Sequence, residues 1–230
     1  MLCIGHRGAM GHEPENTLLS IRKALSLGVD AVEIDVYNVE DNLVVIHDRN
    51  LSRTTNGTGY LESRSFAYLR SLDAGKGEQI PTLKEVIDTV NKQAVINIEL
   101  KGSNTARLVV NLIQEYFSQG WSESDFVVSS FNHDELHQVK SLDTQIKTGM
   151  LIYGLPWEYI KTAQKLQVDI VIASLDFATS ELIDAVHQHN LPVWIYTVNQ
   201  PDDINRLRAL KVDAIFTNYP ERVISNLNNP

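Results

Sequence analysis

Residues Asp30–Asp48 read DAVEIDVYNVEDNLVVIHD, and their alternation decides the fold. Side chains two apart in an extended chain point the same way. Glu33 and Asp35 therefore share one face of a strand over Ala31–Val36, while Val32, Ile34 and Val36 share the other. A second apolar run, Leu43–Ile46, closes in His47-Asp48, and Asp41-Asn42 between the runs is favourable turn chemistry. Paired as a hairpin about that turn, the runs return His47 to the level of Asp35 and Val36. Two acids and an imidazole then meet at one strand end, a geometry suited to metal binding and proton transfer. The pattern recurs in Val95–Lys101, where Asn97, Glu99 and Lys101 share a face opposite Ile96, Ile98 and Leu100. Two half-solvated strands would give this alternation. So would two neighbouring barrel strands with polar ends turned inward and apolar faces under helices.

The rest of the chain decides between them. Strands over Leu2–Gly5 and Ala31–Val36 flank a helix Thr17–Leu27 that Gly28 stops. After the hairpin, about 48–80 holds Asn56-Gly57, Gly59, Gly75 and Gly77 around one short helix near Ser65–Ser71, which reads as an insertion. Pro81 then opens a helix over Thr82–Asn91. Strand 95–100 with helix 105–118, 126–130 with 133–141, and 147–152 with 156–166 keep the same beat. So do 169–173 with 179–189, 193–198 with 202–210, and 213–217 with 220–227. Eight strand-then-helix units without a shift in composition predict one (β/α)8 TIM barrel over 1–230, with a hairpin and small insertion after strand 2. Such a barrel carries its chemistry at the carboxyl ends of its strands. His6-Arg7, Glu33 with Asp35, Glu99 with Lys101, and Ser130-Phe131 all fall there, which disfavours two solvated strands.

With 230 residues, 43% of them hydrophobic and 21% charged, the chain can bury one large core. A net charge of −9 argues against nucleic acid or an anionic membrane surface as the main partner, while leaving room for a local cationic pocket. A single cysteine, Cys3, excludes an intrachain disulfide and is expected to be buried. MLCIGHRG is too short in apolar residues for a signal peptide, and no run approaches the ~18 apolar residues of a membrane span. The expectation is cytoplasmic, without stable membrane association.

His6-Arg7-Gly8, Pro14-Glu15-Asn16-Thr17, Glu33-Ile34-Asp35-Val36, His47-Asp48, Glu99-Leu100-Lys101, Ser129-Ser130-Phe131, Thr197-Val198-Asn199 and Asp213 to Pro220 follow one another from residue 5 to 220. In this order they resemble the motif series of the glycerophosphodiester phosphodiesterases, a phospholipase C-like barrel family. The resemblance implies metal-dependent cleavage of small glycerophosphodiesters to glycerol 3-phosphate and an alcohol. It also implies Glu33, Asp35 and Glu99 as metal ligands. Three hard oxygen donors suit Mg²⁺ or Ca²⁺. Arg7 and Lys101 are placed to hold phosphate oxygens, or to pair with the neighbouring acids in an empty site. His6 and His47 fit general acid and base, in an order the residues do not give. Phe131 and Tyr196 are expected to wall the substrate, with Trp194 left to the core. Glu15 and Asn16 either cap the helix that follows or stand beside the active centre. His12, His133, His137, His187 and His189 read as surface.

The departures are few. Tyr196 stands for a tryptophan usual in the family, Lys211-Val212-Asp213-Ala214 for Gly-Val-Asp-Gly, and Asn218 for an aspartate. Two other readings compete: a lysophospholipase D-type hydrolase, which would want a greasy groove near residues 50–80, and a metal-containing binding protein without catalysis.

Overall fold

The computed structural model describes residues 1–228. Its elements are β1 (Leu2–Gly5), α1 (Leu18–Leu27), β2 (Ala31–Val39), β3 (Asn42–Val45), α2 (Phe66–Arg70), α3 (Leu83–Val90) and β4 (Val95–Leu100). There follow α4 (Ala106–Ser118), β5 (Phe126–Ser130), α5 (His133–Leu142), β6 (Lys147–Ile152), α6 (Tyr159–Leu166) and β7 (Ile170–Ser174). The chain ends in α7 (Ser180–His187), β8 (Val193–Tyr196), α8 (Pro201–Ala209), β9 (Ala214–Thr217) and α9 (Pro220–Asn228). Eight parallel strands close into a barrel, β9 pairing with β1 and β1 with β2, while β3 runs antiparallel to β2 outside the ring.

The two faces of each strand serve two cores. Val32, Ile34, Val36, Ile96 and Ile98 pack under helical residues such as Ile21, Val86 and Val109. The alternate residues Ile4, Ala31, Val127, Ile172, Trp194 and Phe216 fill the barrel. Glu33 and Asp35 have the inward parity, so two carboxylates lie inside the ring. Thr17 caps α1 by accepting from the Ser20 N–H, and Thr82 and Glu85 form a capping box on α3.

The hairpin differs from expectation by one residue. Val39 pairs with Asn42, which leaves Glu40 and Asp41, at φ 51° and 59°, as the turn. Two left-handed residues match the twist of the flanking strands, and the pairing of Asn42 with Val39 puts Asn42 in β3 rather than in the turn. β2 also runs three residues beyond Val36. Its pairing with β4 ends at Val36 and Leu100, after which β3 carries it away from the ring. Beyond the hairpin, Leu51, Leu61, Leu69, Leu72 and Ile80 pack with Tyr37, Val39, Val44 and Ile46 into a core separate from that of the barrel.

A finer repeat ties the opposite end of the barrel. Leu27-Gly28-Val29-Asp30-Ala31, Leu166-Gln167-Val168-Asp169-Ile170 and Leu210-Lys211-Val212-Asp213-Ala214 each join a helix to a strand. In each the second residue is left-handed, with φ of 83°, 53° and 60°. Each aspartate then accepts the N–H of Cys3, Thr148 or Val193 on the preceding strand, at 2.7–2.8 Å. These bonds engage the rim carboxylates of a cavity of about 470 Å³ at that mouth, which Leu2, Ile4 and Trp194 line together with Ser124 and Lys147. Lys211, exposed and left-handed, takes a conformation that suits glycine. Lys211→Gly is expected to stabilise the fold by about 1 kcal/mol. A rise in urea midpoint at constant slope checks this, and an unchanged or lower midpoint refutes it.

Candidate active site

At the carboxyl mouth the strand register sets the site. Asp35 pairs with Glu99, and Glu33 lies one step deeper beside Asn97. Glu33, Asp35 and Glu99 each offer an oxygen within 4.8 Å of the others. Glu33 and Asp35 are almost wholly buried, and the Glu99 side chain is 13% exposed. Burial first, and then the fields of the neighbouring carboxylates, push the Glu33 and Glu99 carboxyls well above the usual range. Glu33 Oε1 is buried without a hydrogen-bond partner. Three crowded carboxylates and an orphaned oxygen fit a hard divalent cation, which would hold all three ionised.

The β1–α1 turn brings in His6 and Arg7. Gly8, at φ 81°, lets this turn lie against α1, because a Cβ there would stand 2.5 Å from the Ser20 hydroxyl. The Arg7 N–H donates to Glu33 Oε2 at 2.8 Å. Its guanidinium donates to Glu15 at 2.7 Å and lies 3.2 Å from Asp35. Lys101 Nζ stands 2.9 Å from Glu99 and 3.7 Å from Asp35. Both cations thus pair with acids in the free site. Asn16 does not cap α1. Its amide spans Asp35, donating to the carboxylate at 2.9 Å and accepting the Asp35 N–H at 3.3 Å. Asn16 therefore fixes one carboxylate of the ring, as Glu15 fixes Arg7.

The two imidazoles have different partners. His6 Nδ1 donates to Asn218 Oδ1 at 2.7 Å, which leaves Nε2 to face the ring, 4.0 Å from Glu33. Burial, reinforced by Arg7, pushes the His6 ring down to about 4, against upward pulls from the Asn218 bond, Asp35 and Glu15. His47 Nδ1 donates to Asp48 Oδ1 at 2.6 Å, and its Nε2 meets Lys101 Nζ at 3.3 Å. An acceptor on one side and an ammonium donor on the other fix the proton on Nδ1. Each histidine therefore turns an unprotonated Nε2 into the mouth. One is backed by an amide, the other by a carboxylate.

Phe131 and Tyr196 line the far side, their rings 5.8 Å apart and edge to face. The Tyr196 hydroxyl donates to the Ile152 carbonyl at 2.8 Å. Trp194 lies deeper, 7% exposed in the barrel interior. Of the remaining histidines, His187 bonds Asp213 at 2.9 Å and His133 the Leu151 carbonyl at 3.1 Å, so neither is a free surface group. Asn218, noted from sequence as a departure, proves to be the partner of His6. Two residues escaped the sequence reading as part of the site: Asp48 was legible as the neighbour of His47, whereas Arg53, whose guanidinium bonds Asp48 and Glu15, belongs to none of the motifs.

Among the described residues no helix is long and apolar enough to cross a membrane. Residues 6–222 match the model of the glycerophosphoryl diester phosphodiesterase family. The chain is 32% identical to the glycerophosphodiester phosphodiesterase of Caldanaerobacter subterraneus, over 97% of this chain and 96% of that one. It is 30% identical to the Bacillus subtilis glycerophosphodiester phosphodiesterase, over 96% and 84%. A solved structure of an Oleispira antarctica phosphodiesterase in complex with the product sn-glycerol-3-phosphate superposes with a TM-score of 0.92 at 29% identity, covering 100% of this chain and 97% of that one.

Proposed function

The chain belongs to the glycerophosphoryl diester phosphodiesterase family and is a phosphoric diester hydrolase; on that premise we propose metal-dependent cleavage of glycerophosphodiesters to glycerol 3-phosphate and an alcohol, with His6 as base and His47 as acid. One observation carries the reading: a ring of three carboxylates lies between two histidines whose Nε2 atoms both face it. Glu33, Asp35 and Glu99 would hold Mg²⁺ or Ca²⁺, which when bound would draw charge from a phosphoryl oxygen. Arg7 and Lys101 exchange their carboxylate partners for the other phosphoryl oxygens, Arg with a fork and Lys as a point charge. Phe131 and Tyr196 wall the glycerol. All these parts belong to one barrel domain over 1–230, which the insertion serves. The acidic surface and the single buried cysteine support a cytoplasmic place of action on small esters.

The partners of the two rings support the assignment. His6, held neutral by burial and Arg7, is ready to take a proton at Nε2 from the nucleophile, whether water or the glycerol 2-hydroxyl. With Lys101 on phosphate, His47 Nε2 is open to take up a proton from solvent; the charged ring, paired with Asp48 through Nδ1, then passes that proton to the leaving oxygen, and the proton taken by His6 returns to solvent. An Asn218→Asp change places a negative charge at His6 Nδ1 and favours its imidazolium. The base form is then lost at higher pH, so the acid limb of kcat/KM should rise by about 1–2 pH units. A limb that stays in place would remove His6 from that role.

The test is release of glycerol 3-phosphate from glycerophosphocholine and glycerophosphoethanolamine, with EDTA and then with Mg²⁺ or Ca²⁺. EDTA should abolish release and one of the cations restore it. Glu33→Gln should weaken the cation by more than the roughly 10–100-fold that a lost supporting contact costs. Release that survives EDTA, or cation affinity unchanged in Glu33→Gln, sinks the metal assignment. One observation favours a second substrate class, the lysophospholipids. Tyr153, Leu155 and Trp157, on the loop after β6 at the same mouth, are 67%, 51% and 97% exposed. The groove expected near 50–80 does not carry that reading, because Leu51, Leu61 and Leu69 there are fully buried. Lysophosphatidylcholine belongs in the same assay.

A further inference from the structure

Arg53 comes from the insertion, in a one-turn helix at Leu51–Arg53 that the fully buried Leu51 anchors. Its guanidinium joins two acids from different parts of the chain. Nη1 and Nη2 form a fork on Glu15, both at 2.7 Å, and Nε bonds Asp48 Oδ2. Asp48 divides its oxygens, giving Oδ2 to Arg53 and Oδ1 to His47 Nδ1 at 2.6 Å. On the other side Glu15 Oε1 also accepts from Arg7 at 2.7 Å. A chain of contacts thus runs His47, Asp48, Arg53, Glu15, Arg7, without passing through the carboxylate ring.

Asp48 is a half-buried acid at the rim on a short side chain, and one bond to an imidazole leaves it free to rotate. A second bond, to a group that cannot lose its charge, fixes the carboxylate plane and with it the ring it holds. We propose that Arg53 is a positioning residue of the reaction: it touches no reacting atom, but by clamping Asp48 against Glu15 it holds the His47 ring with Nε2 aimed at the leaving oxygen. Consistent with the clamp, the bond from Arg53 holds the Asp48 carboxyl down to about 2, so the acceptor stays charged across the working range. A lysine at 53 offers one point charge and reaches one of the two acids at a time, so the fork is part of the requirement.

The inference rests on reading His47 as the proton donor, and leaving-group dependence separates the two. Glycerophosphocholine expels an alkoxide that needs a proton. Glycerophospho-p-nitrophenol has the same glycerophosphate half and expels a stable phenolate that does not. Arg53→Ala should lower kcat on glycerophosphocholine roughly 10–100-fold, the usual range for lost orienting contacts, and change kcat on the nitrophenyl ester far less. Arg53→Lys should fall between wild type and Arg53→Ala on the choline ester. Asp48→Asn should reproduce the selectivity of Arg53→Ala, which keeps the test open if the Arg53 variants fold poorly. Weaker phosphate binding through Glu15 and Arg7 would lower both esters together and cancels in the ratio. An equal loss on the two esters, or no loss on glycerophosphocholine, overturns the proposal. If His47→Ala is itself unselective, the proton-donor reading falls and the proposal with it. If His47→Ala is selective and Arg53→Ala is not, only the role of Arg53 fails.

Discussion

Replacing His6 by alanine should lower kcat on glycerophosphocholine by about 10²–10⁴-fold, the range that a positioned proton acceptor contributes. Divalent-cation affinity should hold, because the three carboxylates and the Asn16 brace on Asp35 do not depend on the ring. His47→Ala should cost a comparable factor on the same ester, yet the two variants should part on glycerophospho-p-nitrophenol. Without His6 the nucleophile keeps its proton whichever group leaves, so the loss persists. Without His47 the phenolate still departs unaided, so most of the loss disappears. The pair of substrates therefore reads the two roles apart. Full activity of either variant on glycerophosphocholine would sink the proton-transfer scheme, and the reverse pattern of selectivity would exchange the roles.

Glu135→Ala should lower stability by about 3 kcal/mol, a large effect for one acid on a helix. Glu135 is 2% exposed, and its carboxylate accepts from the N–H groups of Asn104, Thr105 and Ala106 at 2.7, 3.1 and 2.8 Å. They lie just before and at the first residue of α4, where no helical carbonyl is available to them, and the side chain of its N-cap residue, Thr105, does not satisfy them. A negative charge from α5 thus does the capping from a distance, favoured further by the helix dipole. Removing it leaves the buried N–H groups of Thr105 and Ala106 without their partner, while that of the exposed Asn104 can turn to water. Glu135→Gln, which keeps one acceptor oxygen and the side-chain volume, should cost less. Urea unfolding decides the matter, and a loss under about 1 kcal/mol would mean that water replaces the carboxylate. The loop capped this way begins at Lys101, so KM is expected to rise with the loss of stability.

What could be read from sequence, and what could not, follows from how local each signal is. The alternation in Ala31–Val36 and Val95–Lys101 placed Glu33, Asp35, Glu99 and Lys101 on inward faces because parity is a property of the strand itself. The strand-helix beat gave the barrel for the same reason. The hairpin turn slipped by one residue, since Glu40 becomes a turn residue only through the register that Val39 and Asn42 impose. Arg53 and Glu135 were out of reach for a stronger reason. Glu135 acts on groups 29–31 residues away, and Arg53 joins Asp48, five residues back, to Glu15, 38 residues back, at positions set by how α5 or the insertion docks. The threefold Val-Asp repeat was not picked out from sequence: only Leu, Val and Asp recur in it, and the helix-to-strand geometry is what gives the three aspartates a common role.

The separate core of the hairpin and insertion has a consequence for populations. A unit with its own apolar cluster can open without the barrel, at a free energy below that of global unfolding. While it is open, Arg53 and Leu51 leave together and Asp48 loses its clamp, whereas the carboxylate ring, whose residues lie on barrel strands, stays assembled. At any moment the molecules are then of two kinds, all able to take up cation but only some able to deliver a proton. Turnover scales with the closed fraction while cation binding does not. Warming would thus extinguish activity before it melts the barrel.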